Sequence, residues 1–175
     1  TPLLFFIHGG GWVAGDKANP ASGKLQEYLA AGISVVSINY RYSWQAQLEG
    51  VMPPVKWPLE DAARALQFVR SKAGEWNIDK QRIGASGGSA GACSSLYLAF
   101  HDDMADPSSS DPIARESTRL WCAAVEGAQT SLDPKQLKEW TPNSRYGGHA
   151  FGFMDPKDTK TRDTRFAEFW EKRES

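Results

Sequence analysis

The sequence of 175 residues has few cysteines, almost no net charge and no long apolar run. Its two cysteines, Cys93 and Cys122, provide no disulfide framework and no metal-ligand spacing, and each lies among apolar neighbours. Lys plus Arg of 20 against Asp plus Glu of 21 gives a net charge of -1, without a dense basic block that would neutralise phosphates. No stretch approaches the roughly 20 apolar residues that a membrane helix needs. We therefore expect a soluble protein with no nucleic-acid partner and no transmembrane segment.

What is present is the composition of an ordinary folded domain, with 41% hydrophobic and 23% charged residues. We expect residues 1–175 to form a single domain, with loop-rich insertions at residues 101–118 and 128–161. The chain begins TPLLFFI, without an initiator Met or a signal segment, and these residues already have the pattern of a core strand. This pattern suggests that the chain starts at a cut. The compartment and the oligomeric state are left open.

Apolar and β-branched stretches alternate with amphipathic ones along the chain. The strand-like stretches are residues 3–7, 33–39, 82–86 and 120–125. The helical patterns are residues 22–31, 59–72, 92–100, 134–140 and 162–172. Because parallel strands need crossovers that are usually helical, this order predicts an α/β fold with a mostly parallel sheet and helices on both faces.

Residues 87–91, GGSAG, place one serine among small residues directly after the third predicted strand; we call this segment the serine turn. In a G-x-S-x-G segment the serine lies on a sharp strand-to-helix turn, which exposes its hydroxyl at the carboxyl end of the sheet. The same turn directs the N–H of Ala90 at an oxygen that becomes negative during attack. Ser89 is therefore a candidate nucleophile. Close packing of a strand against a helix is the alternative that so short a motif leaves open.

Residues 8–12, HGGGW, follow the first predicted strand and are called the glycine turn. Successive glycines allow backbone N–H groups to face an anion, and an HGGG-type loop supplies oxyanion donors in some serine hydrolases. Residues 9–14 also match the dinucleotide fingerprint G-x-G-x-x-A. That alternative is disfavoured because residues 15–20 delay the next helix, and because the next strand ends in Asn39 rather than an acid.

Three further sets of residues are of a type that could have a functional role. We expect His8 to orient the glycine turn through hydrogen bonds rather than to transfer a proton. Four acids, Asp102, Asp103, Asp106 and Asp111, lack the spacing of a calcium loop, so no metal site is predicted. Five aromatic side chains are candidates either for an acyl pocket or for the core: Trp12, Tyr40, Tyr42, Trp44 and Trp57.

Taken together, HGGGW, NYRY at residues 39–42 and NIDKQRIGASGGSAGA at residues 77–92 resemble the α/β-hydrolase superfamily. Within it the chain looks most like the esterases and lipases related to hormone-sensitive lipase. The resemblance implies a serine ester hydrolase that acts on a small-molecule ester and uses no cofactor. It implies Ser89 as nucleophile and three backbone donors to the oxyanion, Gly10, Gly11 and Ala90. Gly88 departs from the pattern, since close relatives often carry an acid before the nucleophile.

The catalytic acid and histidine are harder to place from the sequence. These hydrolases have the chain order Ser, then Asp or Glu, then His. His101 follows the helix after Ser89 at its far end, about 15 Å along the axis, so it does not reach back. Asp133 and His149 have the required order, although no strand precedes His149. One convincing strand follows Ser89, so we expect a fold truncated at both ends, without the loops that carry the acid and the histidine.

Two other function classes remain as alternatives. A noncatalytic module could keep the hydrolase fold for ligand or partner recognition, because fold does not imply function. A nicotinamide-dependent oxidoreductase ranks third, since the residues after the glycine turn do not suit a dinucleotide.

Overall fold

The computed structural model describes residues 1–18, 20–140 and 150. Four parallel strands form one sheet in the order β2-β1-β3-β4. Their bounds are Leu3–Ile7 (β1), Ser34–Ile38 (β2), Ile83–Gly88 (β3) and Cys122–Glu126 (β4). All four predicted strands are confirmed, with ends that differ by at most two residues. The parallel α/β architecture is likewise confirmed.

Helices connect the strands. In the described part of the chain these are a 3₁₀ turn at Pro20–Gly23 and the α-helices Leu25–Ala30 (α1), Ser43–Leu48 (α2), Lys56–Ser71 (α3), Ala90–Phe100 (α4) and Pro134–Trp140 (α5). The helix predicted over residues 22–31 is thus divided between the 3₁₀ turn and α1. The helix α2 lies in a stretch that the sequence predicts as loop. The pattern at residues 162–172 lies outside the described residues.

The strand order places the two glycine-rich turns side by side. The chain leaves β1 through α1 to reach β2, then crosses back through α3 to β3 and continues through α4 to β4. Because such crossovers are right-handed, α1 lies on one face of the sheet and α3 and α4 lie on the other. The connections after β1 and β3 therefore diverge, and open α/β sheets bind ligands in the crevice that this divergence creates.

The core beneath this crevice is built from β1, β3 and α3. Phe5 and Ile7 of β1, Leu66 of α3 and Ile83 of β3 are fully buried. Trp12 is also fully buried, so the glycine turn is anchored in the core by its last side chain. No helix in the described ranges is long and apolar enough to cross a bilayer.

Residues 101–121, between α4 and β4, contain turns but neither helix nor strand. Two buried polar side chains of α3, Gln67 and Arg70, hold this segment to the domain. Gln67 Nε2 donates to backbone carbonyls at 2.9–3.3 Å, and the Arg70 guanidinium donates to two more. Met104, Ala114, Glu116 and Arg119 of this segment accept four of these bonds, and the Arg70 guanidinium also donates to the carbonyl of Lys80, which lies before β3. The other predicted insertion, residues 128–161, extends beyond the described residues.

Candidate active site

The glycine turn and the serine turn pack backbone against backbone. In the sheet Ile7 is paired with Gly87, so β1 and β3 end at the same level. A Cβ atom added to Gly91 would lie 2.0 Å from the carbonyl oxygen of Ile7, and one added to Gly9 would lie 2.8 Å from that of Gly88. Only hydrogen fits at these two positions. The glycines therefore allow the two turns to approach more closely than any side chain would permit.

Ser89 alone connects β3 to α4, since the strand ends at Gly88 and the helix begins at Ala90. Its φ of 53° and ψ of -120° lie in a region that non-glycine residues rarely adopt, which costs on the order of 1–3 kcal/mol. The backbone N–H of Ser89 donates to the carbonyl of Glu126 at 3.0 Å, so β4 supports the strained turn. The residue is exposed and lines an open cavity of about 710 Å³.

Residues of both turns line the cavity at this serine. Ala90 is the first residue of α4, so its N–H has no acceptor within the helix. Gly10 lines the cavity with Ser89, and its carbonyl accepts from Val13 N and Ala14 N, which closes the turn. Within residues 1–18, 20–140 and 150, no acceptor is recorded for the N–H of Gly10 or Gly11. Gly11 adjoins Gly10 in the chain, but it does not line the cavity.

His8 is part of the wall of the same cavity, and its ring is held in place from two sides. Nδ1 lies 2.7 Å from the carbonyl oxygen of Gly9, which assigns the ring proton to Nδ1. Tyr40 stacks on the ring at a centroid distance of 4.4 Å, and its hydroxyl donates to the His8 carbonyl at 2.9 Å. His8 Nε2 is buried and has no partner among the described residues. These contacts favour the interpretation that His8 orients the turn.

Residues 39–42, NYRY, hold the outer side of the loop that continues from the glycine turn. The Tyr42 hydroxyl donates to the carbonyl of Gly15 at 2.5 Å. Asn39 accepts from the N–H of Lys17 at 2.7 Å, and its Nδ2 donates to the Asp16 carboxylate at 3.0 Å. This hydrogen bond from Asn39 holds the pKa of Asp16 below its ordinary value. The motif at the end of β2 therefore positions the loop between residues 8 and 17.

Replacing Tyr40 with Phe is expected to destabilise the protein by about 1–2 kcal/mol, because the buried His8 carbonyl loses its donor while the ring stack remains. Urea unfolding of the full gene product measures this difference. Tyr28→Phe is the matched control, since no hydrogen bond of the Tyr28 hydroxyl is recorded in the described chain. Equal stability of the two variants would contradict the prediction.

None of the five aromatic residues considered for an acyl pocket lines the cavity at Ser89, as far as the described residues define its wall. Trp12 and Tyr40 are buried in the core. Phe6, which the sequence did not single out, lines the cavity, and among the described residues no other Phe, Tyr or Trp does. Its neighbours there include the acids Asp16 and Glu126. The sequence does not identify Phe6 as a cavity residue. Strand residues point alternately to opposite faces, and a continuous apolar run does not show which of its side chains faces the site.

Asp133 lies in the loop after β4, where its carbonyl accepts from Leu137 N at 2.9 Å as α5 begins. It is not among the described residues that line the Ser89 cavity. His149 lies outside the described residues, so its pairing with Asp133 stays a prediction. His101 is exposed at the far end of α4, with Nδ1 3.0 Å from the Asp102 carbonyl oxygen.

Cys93 lies one helical turn beyond Ser89, and its N–H donates to the Ser89 carbonyl at 3.0 Å. Its thiol is buried beside a second, apolar cavity of about 320 Å³ that lies between α4, Leu59 of α3 and residues 129–132. Burial raises the pKa of the thiol to about 11. A thiol that is protonated at neutral pH is a poor nucleophile, so Cys93 is not a candidate nucleophile.

We expect Cys93 to resist alkylation by iodoacetamide at pH 8 in the folded protein, because reaction requires the thiolate and burial disfavours it. In denaturant the same residue should react fully. Peptide mass spectrometry of native and unfolded samples measures both. Rapid modification of Cys93 in the native sample would contradict the assignment.

Comparison with known proteins agrees with this fold. The family model BD-FAE matches residues 1–139. The chain is 32% identical over 125 residues to the probable carboxylic ester hydrolase LipM of Mycobacterium tuberculosis, which covers 70% of this chain and 26% of that protein. It is 39% identical over 94 residues to arylacetamide deacetylase of Oryctolagus cuniculus, which covers 50% of this chain and 21% of that protein.

Among solved structures, the acetyl ester-xyloside bifunctional hydrolase from Caldicellulosiruptor lactoaceticus superposes with a TM-score of 0.63 at 30% identity, over 75% of this chain and 45% of that one. The propionate-bound esterase Est2 of Thermogutta terrifontis gives a TM-score of 0.61 at 25% identity, over 79% and 50% respectively. The chain thus spans about a quarter of the curated relatives and about half of the solved chains. The resemblance to α/β-hydrolase esterases is confirmed, and the chain belongs to the BD-FAE family.

Proposed function

We propose that the protein is a serine ester hydrolase in which Ser89 is the nucleophile. The observation that carries this proposal is the placement of Ser89, which is exposed and strained at a one-residue turn and faces a cavity shared with the glycine turn. A serine that only filled space between a strand and a helix would need neither exposure nor backbone strain. Strain of this kind persists where the surrounding structure imposes it, and it concentrates at functional sites.

In the proposed reaction, Ser89 Oγ attacks the carbonyl carbon of the ester and forms a tetrahedral intermediate. The N–H groups of Gly10, Gly11 and Ala90 donate hydrogen bonds to its oxyanion, each such donor typically contributing about 10²–10³ in kcat. The hydroxyl proton passes to a histidine, which then protonates the leaving alcohol as the acyl-enzyme forms. His149 is our candidate for that histidine, with Asp133 as the acid that orients it.

The relatives support carboxylic esters as the substrate class. LipM is named a probable carboxylic ester hydrolase, and Est2 was solved with propionate bound. We infer a small-molecule carboxylic ester as the substrate of this protein as well. The open cavity and the acids that line it, Asp16 and Glu126, are compatible with a neutral ester.

Reaction with a fluorophosphonate probe tests the nucleophile directly, since the probe phosphonylates an activated serine. We expect the full gene product to be labelled at Ser89, with the site located by peptide mass spectrometry. The labelled protein should lose its activity towards p-nitrophenyl esters in proportion to the labelling.

A noncatalytic binding module is the second candidate, because no histidine that follows Ser89 in the chain lines its cavity among the described residues. A protein of this class would neither be labelled by the probe nor hydrolyse the esters. Absence of both signals in the full gene product would favour it over the esterase.

A further inference from the structure

The glycine turn and the nucleophile helix are joined by a hydrogen bond in the core. Trp12, the last residue of the glycine turn, is fully buried, and its indole Nε1 donates to Ser94 Oγ of α4 at 3.0 Å. Ser94 is 1% exposed. The two residues lie 82 positions apart in the chain, so this contact links the separate segments that carry the proposed oxyanion donors.

Ser94 is also hydrogen-bonded to the first turn of α4. Its Oγ donates to the carbonyl of Ala90 at 2.9 Å while it accepts from the indole. A hydroxyl can fill both roles at once, because it has one proton and two lone pairs. These contacts therefore connect Trp12, which follows Gly11, to Ala90, whose N–H is the proposed oxyanion donor of the serine turn.

The backbone of Trp12 needs such an anchor. Its φ is 58°, in the left-handed region, and the Gly11 before it has φ 61°. Glycine adopts this region readily, but tryptophan rarely does, so the contacts of Trp12 must hold it there. The Trp12 carbonyl also accepts from Ser43 N at 2.8 Å, which ties the backbone of the turn to α2. Side chain and backbone together fix the direction of the neighbouring N–H groups.

We propose that Trp12 and Ser94 are positioning residues that set the spacing between the two halves of the oxyanion site. This inference rests on the proposed esterase function. A shift of about 1 Å between catalytic groups can lower a rate by 10²-fold, so a contact that fixes this spacing acts on kcat without touching the substrate. The effect falls on the transition state, in which the oxyanion forms, more than on substrate binding.

The chain offers a closely matched control. Ser95 is the next residue of α4, is also buried, and its Oγ donates to the carbonyl of Gly91 at 2.9 Å, four residues back, as Ser94 does to Ala90. No contact of Ser95 with the glycine turn is recorded in the described chain. Ser94→Ala and Ser95→Ala thus remove the same kind of helical hydrogen bond, but only Ser94→Ala breaks the link to Trp12.

The test uses four variants of the full gene product: Ser94→Ala, Trp12→Phe, their double mutant and Ser95→Ala. For the first three we expect kcat for a p-nitrophenyl ester to fall by about 10-fold and KM to stay within about twofold of the wild type. The fall in kcat is smaller than the about 10²- to 10³-fold fall expected when an oxyanion donor is removed, because here the donor is only displaced. The double mutant should be no slower than the slower single variant, because both remove one interaction. Ser95→Ala should keep kcat within about twofold of wild type.

A purely structural role predicts another pattern. Ser94→Ala and Ser95→Ala would then lower the melting temperature alike and leave kcat alike, and this result would overturn the inference. If Trp12→Phe does not fold, the comparison of Ser94→Ala with Ser95→Ala decides alone, since each removes a single oxygen atom. Failure of the proposed function is recognised separately: ester hydrolysis that survives Ser89→Ala would remove the nucleophile and this inference with it.

Discussion

Replacing Ser89 with Ala in the full gene product should lower kcat for a p-nitrophenyl ester by about 10⁴- to 10⁶-fold and abolish fluorophosphonate labelling. The physical reason is that the acyl-enzyme cannot form without Oγ, so only oxyanion stabilisation and binding remain. The fold should be kept, because alanine experiences the same φ of 53° as serine and neither relieves nor adds backbone strain. Steady-state kinetics, labelling and circular dichroism measure the three effects.

The control for this variant is Ser86→Ala, a change of the same size in the preceding part of β3. Ser86 is half-buried in the strand and does not line the cavity, so its activity should match that of the wild type. Activity of Ser89→Ala within tenfold of Ser86→Ala would show that hydrolysis proceeds through another group. The cavity at the end of β3 would then lose its assignment as the active site.

The second large effect is expected for Gly91→Ala. The added Cβ would lie 2.0 Å from the backbone oxygen of Ile7 and 2.8 Å from that of His8. Both atoms belong to the main chain at the end of β1 and cannot rotate away as a side chain would. The two turns must separate or the helix must shift, and such overpacking costs about 3 kcal/mol. At roughly 2–4 °C per kcal/mol, the melting temperature should fall by about 6–12 °C, and kcat should fall with it.

Gly74→Ala separates this steric effect from the general effect of replacing a glycine. Gly74 follows α3 on the surface, and a Cβ added there meets no atom within 4 Å. That variant should be as stable as the wild type or slightly more so, because alanine restricts the unfolded chain. A melting temperature of Gly91→Ala equal to that of Gly74→Ala would contradict the close packing of the two turns.

The features that the sequence predicts well are those encoded by adjacent residues. Leu3–Ile7 is recognisable as a buried strand because an apolar run ends directly in glycines. The turn at Ser89 is recognisable because its geometry demands small residues at fixed offsets within five positions. Once the strand order is known, the handedness of the crossovers assigns each helix to a face of the sheet, which is a general property of such folds.

The features that sequence reasoning missed either lack an apolar periodicity or depend on residues far apart in the chain. The helix α2 is capped by Gln45, whose side chain accepts from Tyr42 N at 2.7 Å, and its Leu48 is 79% exposed, so no apolar stripe marks it. The pairing of Trp12 with Ser94 spans 82 positions, and neither residue type indicates it. Tyr40, a candidate for the acyl pocket, is buried against His8 instead. Its ring stacks on the imidazole, and its hydroxyl donates a hydrogen bond to the His8 carbonyl.

The pairing of Ile7 with Gly87 has a wider consequence. A slip of one residue between β1 and β3 would displace one turn from the other by about 3.3 Å, which is more than a hydrogen bond to an oxyanion tolerates. We therefore expect the register of β1 and β3 at the centre of the sheet to fix the alignment of the proposed oxyanion donors. We expect unfolding of β1 from β3 to separate the two turns and so to abolish activity.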